Sequence, residues 1–175
     1  MDITKFNQFV RDIYHTDQFI PLHEPRFLGN EKKYVLDTIE STFVSSVGAF
    51  VTDFENKIQN FTGCTSAIAT ANGTAALHVA LLMAGVKCED IVITQALTFV
   101  ATCNALSYIG AEPLFIDVSL KTMGLCPKAV EEYLDEYAFI NDQGECWHKT
   151  SDKRISAVVP MHTFGHPVEL DELVV

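Results

Sequence analysis

Residues 66–118 read SAIATANGTAALHVALLMAGVKCEDIVITQALTFVATCNALSYIGAEPLFIDV, and their rhythm decides the fold. Ser66 to Ala71 is short, small and apolar, which predicts a buried strand. Gly73 to Gly85 predicts a helix, Ile91 to Thr94 a strand, Thr98 to Ile109 a helix and Pro113 to Val118 a strand. Short strands alternating with helices argue a doubly wound α/β architecture. Strands that are apolar throughout, rather than alternating, fit a mostly parallel sheet flanked by helices on both faces.

Downstream, Pro127 suits the first turn of a helix running to about Tyr137. Residues 140–154 (INDQGECWHKTSDKR) are polar and predict an excursion on the surface, and Ile155 to Met161 predicts a further strand. In Pro167 to Val175, Leu170, Leu173 and Val174 open a helical stripe that the sequence does not continue. A helix that short is marginal alone, so the chain is expected to be a piece of a longer polypeptide.

Upstream, the pattern is helical. Residues 3–14 place Phe6, Phe9, Val10 and Ile13 on one stripe, and residues 18–29, with Pro21 and Pro25, are expected to be extended. Asn30 is placed to cap a helix through about Phe43, with Tyr34, Val35, Thr38 and Ile39 as its buried side. Ser45-Ser46-Val47-Gly48 breaks that helix, and a second, carrying Phe50, Phe54 and Ile58, ends at Gly63. The expected organisation is an N-terminal helical segment over 1–62 and an α/β part over 63–175.

Composition narrows the function. The chain has 175 residues, 48% hydrophobic and 20% charged, enough apolar material for a sizeable core. A net charge of −11 is the wrong sign for a nucleic-acid footprint or for an anionic membrane surface. An anionic small ligand stays open, because a few backbone N–H groups hold a phosphate against an unfavourable global charge. The 5 cysteines are odd in number and form no C-x-x-C pair, so they read as reduced thiols of a cytoplasmic protein. The N-terminal residues lack the apolar core of a signal peptide.

Three strand ends carry candidate chemistry. Ala71 to His78 (ANGTAALH) follows one expected strand and opens a helix, where unpaired N–H groups and the positive dipole end suit a phosphate. Gly73 allows close approach, Thr74 adds a hydroxyl and Ala75 keeps the approach clear; an ordinary helix capped by Asn72 is the simpler alternative. Phe99, just past the next strand, offers a ring face at the same mouth, or else is core. Pro160 to Pro167 (PMHTFGHP) places His162 and His166 four apart, but Gly165 and Pro167 argue against the intact helix that joint metal ligation needs. No metal is expected. Asp117, at a strand end, reads as a turn or cap residue. The sequence contains no G-x-x-x-x-G-K-[ST], G-x-G-x-x-G or G-x-S-x-G, which removes P-loop, dinucleotide-fingerprint and nucleophile-elbow readings.

Taken together and in order, these pieces resemble the DegT/DnrJ/StrS family of nucleotide-sugar aminotransferases. The stretches are PRFLGNEKKYVLDTIESTFVSSVGAFVTDFENKIQNFTG, ATANGTAALHVALLMAGV, ITQALTFVATCNALSYIGAEPLFIDV and VVPMHTFGHPVELDEL. FVSSVGAFV, ITQALTFVAT and VPMHTFGHPV are most similar to the legionaminic-acid-pathway (LegC-like) branch. The resemblance implies the aspartate-aminotransferase fold (fold type I) and pyridoxal 5′-phosphate (PLP) as cofactor. It implies residues 63–175 as part of the PLP-binding large domain, and a homodimer when full length. It implies transfer of an amino group, from glutamate, to a 4-keto-6-deoxy nucleotide sugar in surface-polysaccharide or nonulosonic acid biosynthesis. By the same resemblance, Gly73, Thr74 and Ala75 form the phosphate cup and Phe99 stacks on the pyridine ring. Ser46 belongs to the loop lining the substrate side, and His162 lies near the pocket.

The family's Schiff-base lysine and its pyridinium-pairing aspartate match no position in this sequence. None of the lysines, from Lys5 to Lys153, sits in a small-residue loop after a strand. The implied catalytic set therefore has no member here, and these residues alone are expected to be inactive. Two alternatives stay open: a PLP-dependent sugar dehydratase of the same fold, and a non-catalytic, partner-binding fragment.

Overall fold

The computed structural model describes residues 2–21 and 24–174; Leu22 and His23, within the stretch expected to be extended, and the terminal Met1 and Val175 lie outside the described residues. The chain divides into two compact units, Met1–Cys64 and Thr65–Val175.

The first unit is helical: α1 (Ile3–Tyr14), α2 (Glu31–Glu40) and α3 (Ala49–Thr62). Asp2 caps α1, its side chain accepting from the N–H groups of Thr4 and Lys5 at 3.0 and 3.4 Å. Asn30 occupies the cap position of α2 but makes no side-chain cap bond; the carboxylate of Glu31 instead accepts from the Gly29 N–H at 2.9 Å. Gly63 ends α3 at φ 72°, in the left-handed region that glycine enters without a Cβ clash. The rings of Tyr34 and Phe50 meet at 5.2 Å between centroids. The expected buried side of α2 is not buried: none of these helices buries a residue, and Val35 and Ile39 are exposed. An apolar stripe closes a core only against a second layer. Here the stripe lines an open apolar groove of about 890 Å³ that includes Tyr34, Val35, Ile39, Phe43 and Phe50.

The second unit is α/β. It comprises α4 (Gly73–Met83), β1 (Ile91–Gln95), α5 (Val100–Ile109), β2 (Glu112–Ile116), α6 (Pro127–Tyr137), β3 (Ala138–Ile140), β4 (Cys146–His148), β5 (Lys153–Val159), a 3₁₀ turn at Thr163–Gly165 and the single turn α7 (Leu170–Leu173). The sheet order is β2-β1-β5-β4-β3. β2, β1 and β5 are parallel, with Gln95 opposite Ile116 and Thr94 opposite Val159. β5, β4 and β3 are antiparallel.

β1 is the centre of the unit, and all five of its residues are buried. Successive side chains of a strand leave on opposite faces. Val92 shares one core cluster with Leu77 and Leu81 of α4 and with Ala105 and Leu106 of α5. Ile91 and Ile93, on the other face, share a second cluster with Val130, Tyr133 and Leu134 of α6. Burying one such side chain contributes about 1.5–3 kcal/mol, so this strand anchors both helical layers.

Two expectations need correction. Ser66 to Ala71 is not a strand: both edges of β1 are taken, by β2 and β5, residues 66–71 lie outside the sheet, and Ile68 is 84% exposed. A strand exists through its ladder, and residues 66–71 belong to none of the ladders of this sheet. Residues 140–154 are more than a surface excursion: they contain β4 and the turn of a hairpin that extends the sheet. The Asn141 side-chain oxygen accepts from the N–H groups of Gln143 and Glu145 at 3.0 and 2.9 Å, and Gly144 turns the chain at φ 80°.

Candidate functional site

α5 follows β1 directly, so its N-terminus lies at the carboxyl edge of the parallel strands. The other end of α4 is fixed at the opposite edge, where Arg154, at the start of β5, donates to the Gly85 carbonyl at 2.6 Å. α4 rises about 16 Å from Gly73 to that end, so Gly73 is its far end from the Arg154 contact. α4 and α5 pack on one face, with the His78 and Tyr108 rings 5.8 Å apart. The carboxyl edge of an open α/β sheet is where such folds place ligands.

At the N-terminus of α4 the Asn72 side chain accepts from the Ala75 N–H at 2.9 Å, and the Asn72 carbonyl accepts from the Ala76 N–H at 3.0 Å. The cap therefore occupies Ala75, one of the three residues expected at a phosphate. The N–H groups of Gly73 and Thr74 precede Ala76, the first intrahelical donor, and have no acceptor within the helix. A Cβ added to Gly73 would meet nothing within 4 Å, so the approach is open. Thr74, half-buried at the second helical position, adds a hydroxyl to this turn.

Phe99 occupies the cap position of α5 and is 72% exposed. Its ring is therefore not core, and a flat ligand ring can lie on it. His162 follows β5 and is exposed; its Nδ1 accepts from the Val168 N–H at 3.1 Å. That bond places the proton of the neutral ring on Nε2. His166 is separated from His162 by the 3₁₀ turn, in which Phe164 has φ 54°. Among the described residues no cluster of histidine, cysteine or carboxylate side chains is arranged to hold a metal ion. Asp117 closes a turn: its carboxylate accepts from the Val118 N–H at 2.8 Å and its carbonyl from the Cys126 N–H at 3.0 Å.

Ser46 belongs to the other unit, on the loop between α2 and α3. It is exposed, and Ser45 and Gly48, not Ser46, line the apolar groove there.

The sequence reading missed the group that joins the loops of the carboxyl edge. Gln95, fully buried at the end of β1, donates from Nε2 toward the carbonyls of Leu97 (3.0 Å) and Met123 (3.2 Å) and the Thr163 hydroxyl (3.1 Å). Its Oε1 accepts from the Met161 N–H at 3.1 Å. Thr163 in turn donates to the Met123 carbonyl at 2.8 Å. The one available signal was an amide closing the apolar run Ile91-Val-Ile-Thr, because a buried amide must find partners.

Two lysines stand on segments at this edge, and both are paired. Lys121 bonds Glu169 at 2.5 Å, and that hydrogen bond and the carboxylate's charge hold its ammonium above the usual lysine range. Lys128 pairs with Glu132 at 3.5 Å. A lysine must be neutral to attack a carbonyl, so the pairing of Lys121 opposes a nucleophilic role.

Comparison with known proteins agrees with the resemblance. Residues 27–174 match the model of the DegT/DnrJ/EryC1/StrS aminotransferase family. The chain is 32% identical to a GDP-perosamine synthase of Escherichia coli O157:H7 over 90% of its own length and 38% of the relative's. It is 33% identical to the GDP-perosamine synthase of Caulobacter vibrioides, over 88% of its length and 37% of that protein's. The X-ray structure of an aminotransferase from Psychrobacter cryohalolentis superposes with a TM-score of 0.69 at 27% identity, covering 90% of this chain and 35% of that one. The chain thus spans less than half the length of the relatives it matches. With the family model matched over most of its residues, the chain belongs to the DegT/DnrJ/EryC1/StrS aminotransferase family.

Proposed function

We propose that the protein carrying this chain is a PLP-dependent aminotransferase. It moves an amino group from glutamate to the ketone of a 4-keto-6-deoxy nucleotide sugar, releasing 2-oxoglutarate and the amino sugar. The observation that carries this reading is the carboxyl edge of the sheet. The free N–H groups of Gly73 and Thr74 open a helix on the same sheet face as α5, whose cap residue Phe99 presents an exposed ring. The names of the two perosamine synthases support a nucleotide-sugar substrate.

The residues present fit the cofactor. A phosphate takes the Gly73 and Thr74 N–H groups and the Thr74 hydroxyl, aided by the positive end of α4. Phe99 holds the flat ring and fixes its plane. Ala75, whose N–H is already bonded to Asn72, contributes smallness rather than a donor. His162 presents its Nε2–H as a donor toward substrate, and the resemblance assigns the loop at Ser46 to the substrate side. When bound, PLP would supply the electron sink that amino transfer requires. The covalent lysine comes from outside these residues, so the 175-residue chain alone is inactive.

In this reading residues 63–175 are part of the large domain and 1–62 a helical segment. The whole protein is a cytoplasmic homodimer acting in surface-polysaccharide or nonulosonic acid biosynthesis. The open apolar groove of the first unit supports association, and the five free thiols support a reducing compartment. No helix among the described residues is long and apolar enough to cross a membrane.

The test is direct. The full-length protein is incubated with PLP, glutamate and a GDP- or UDP-linked 4-keto-6-deoxy sugar, and 2-oxoglutarate and the amino sugar are quantified. Equal amounts of both products establish the reaction. Cofactor binding with loss of the hydroxyl from the sugar, and no amino sugar formed, indicates the dehydratase instead.

A further inference from the structure

Gln95 is an uncharged residue with no place in the chemistry above, yet it is fully buried and touches three separate loops. Its contacts fall beside two site residues of the carboxyl edge, Phe99 and His162. Leu97, whose carbonyl it holds, lies two residues before Phe99. Met161 and Thr163, which it bonds through Oε1 and Nε2, are the two neighbours of His162. A second line runs parallel: the Thr98 hydroxyl meets the Thr102 hydroxyl at 2.9 Å and the Met161 sulfur at 3.3 Å. The backbone on either side of His162 is thereby tied to the segment that leads into Phe99.

We propose that Gln95 is a positioning residue, one buried amide that sets the stacking ring of Phe99 and the imidazole of His162 in register with each other. The inference rests on the cofactor reading above. An amide suits the task because it offers donors and an acceptor from one rigid plane. Leucine of similar size offers neither, and glutamate keeps the acceptor for Met161 but faces the carbonyls of Leu97 and Met123 with negative charge. Preorganisation of this kind acts on affinity by fixing loops before the ligand arrives.

The experiment uses the full-length protein with Gln95→Leu, Gln95→Glu and Thr163→Val, and Arg154→Ala as a control at the opposite sheet edge. PLP affinity, the visible circular dichroism of bound PLP and the thermal midpoint are measured for each. Gln95→Leu is expected to weaken PLP binding about tenfold and to change the dichroic band, and Thr163→Val to weaken it about threefold. Gln95→Glu is expected to recover affinity as the pH falls and its carboxyl regains a donor proton. Arg154→Ala is expected to lower the midpoint with affinity and dichroism unchanged. Unchanged affinity and dichroism in Gln95→Leu overturn the proposal while leaving the cofactor reading intact. If Gln95→Leu does not fold, Thr163→Val decides on the same two readouts. A parent protein that binds no PLP overturns the cofactor reading and this inference with it.

Discussion

The guanidinium of Arg154 and the carboxylate of Asp90 form a two-point pair, Nε to Oδ1 at 3.2 Å and Nη2 to Oδ2 at 2.5 Å. Arg154 also holds the Gly85 carbonyl, so one side chain joins the start of β5, the turn before β1 and the end of α4. Asp90 is buried, and the Arg154 side chain is 21% exposed. Removing one partner strands the other. Arg154→Ala is expected to cost about 2–3 kcal/mol, below the range for fully buried pairs because part of the guanidinium stays in water. Denaturant unfolding monitored by circular dichroism measures it.

The same pair sets a pH dependence. Burial pushes the Asp90 carboxyl up, but hydrogen bonds from Arg154 and from the Lys87 N–H, with the Arg154 charge, outweigh it and leave it below the usual carboxylate range. A depressed carboxyl stabilises the fold above its unfolded value, about 3.9, and that contribution disappears as the pH falls through the lower folded value. Stability is expected to drop as the pH falls below the unfolded value of about 3.9, and the drop to be shallower in Asp90→Asn. Equal slopes for parent and variant in a pH series of urea melts would remove Asp90 from the account.

Thr74 and Phe99 separate the two halves of cofactor recognition. Thr74→Val in the full-length protein is expected to weaken PLP several-fold while leaving pyridoxal, which lacks the phosphate, unaffected. Phe99→Ala is expected to weaken both, since a lost ring contact of about 0.5–1.5 kcal/mol does not depend on the phosphate. Absorbance titrations with both ligands test the pair. Equal losses for both ligands in Thr74→Val would contradict the phosphate assignment.

Gly124 lies under Val168 so closely that an added Cβ would sit 2.2 Å from Val168 Cγ1 and 3.3 Å from the Met161 carbonyl. Gly124→Ala is expected to cost about 1–3 kcal/mol by overpacking. Val168→Ala in the same background should return part of it, because the two positions share one space. Thermal melts of the single and double variants measure the coupling.

Local signals wrote most of the helices. Gly63 ends α3, Pro127 opens α6, and Asn72 with Gly73 starts α4, each through chemistry acting within a turn. The buried strand Ile91–Gln95 was equally legible, as an apolar run between helices. The expected strand at Ser66 to Ala71 failed for a different reason: its composition suits a strand, but a ladder needs a neighbour, and a sequence does not name one.

The candidate site divides along the same line. That Gly73 and Thr74 open a helix and that Phe99 stands just past the strand Ile91–Gln95 was legible in the sequence, because caps and apolar runs act locally. That Phe99 is exposed, that Ala75 is already capped, and that Gln95 binds the loops together were decided by the tertiary structure. Gln95 meets Met123, Met161 and Thr163 across 28, 66 and 68 residues, and Arg154 meets Asp90 across 64. Hydrophobic rhythm and capping reach only a few residues along the chain. A buried polar group instead takes whatever partners the packing of distant segments brings to it, and only the folded chain specifies those.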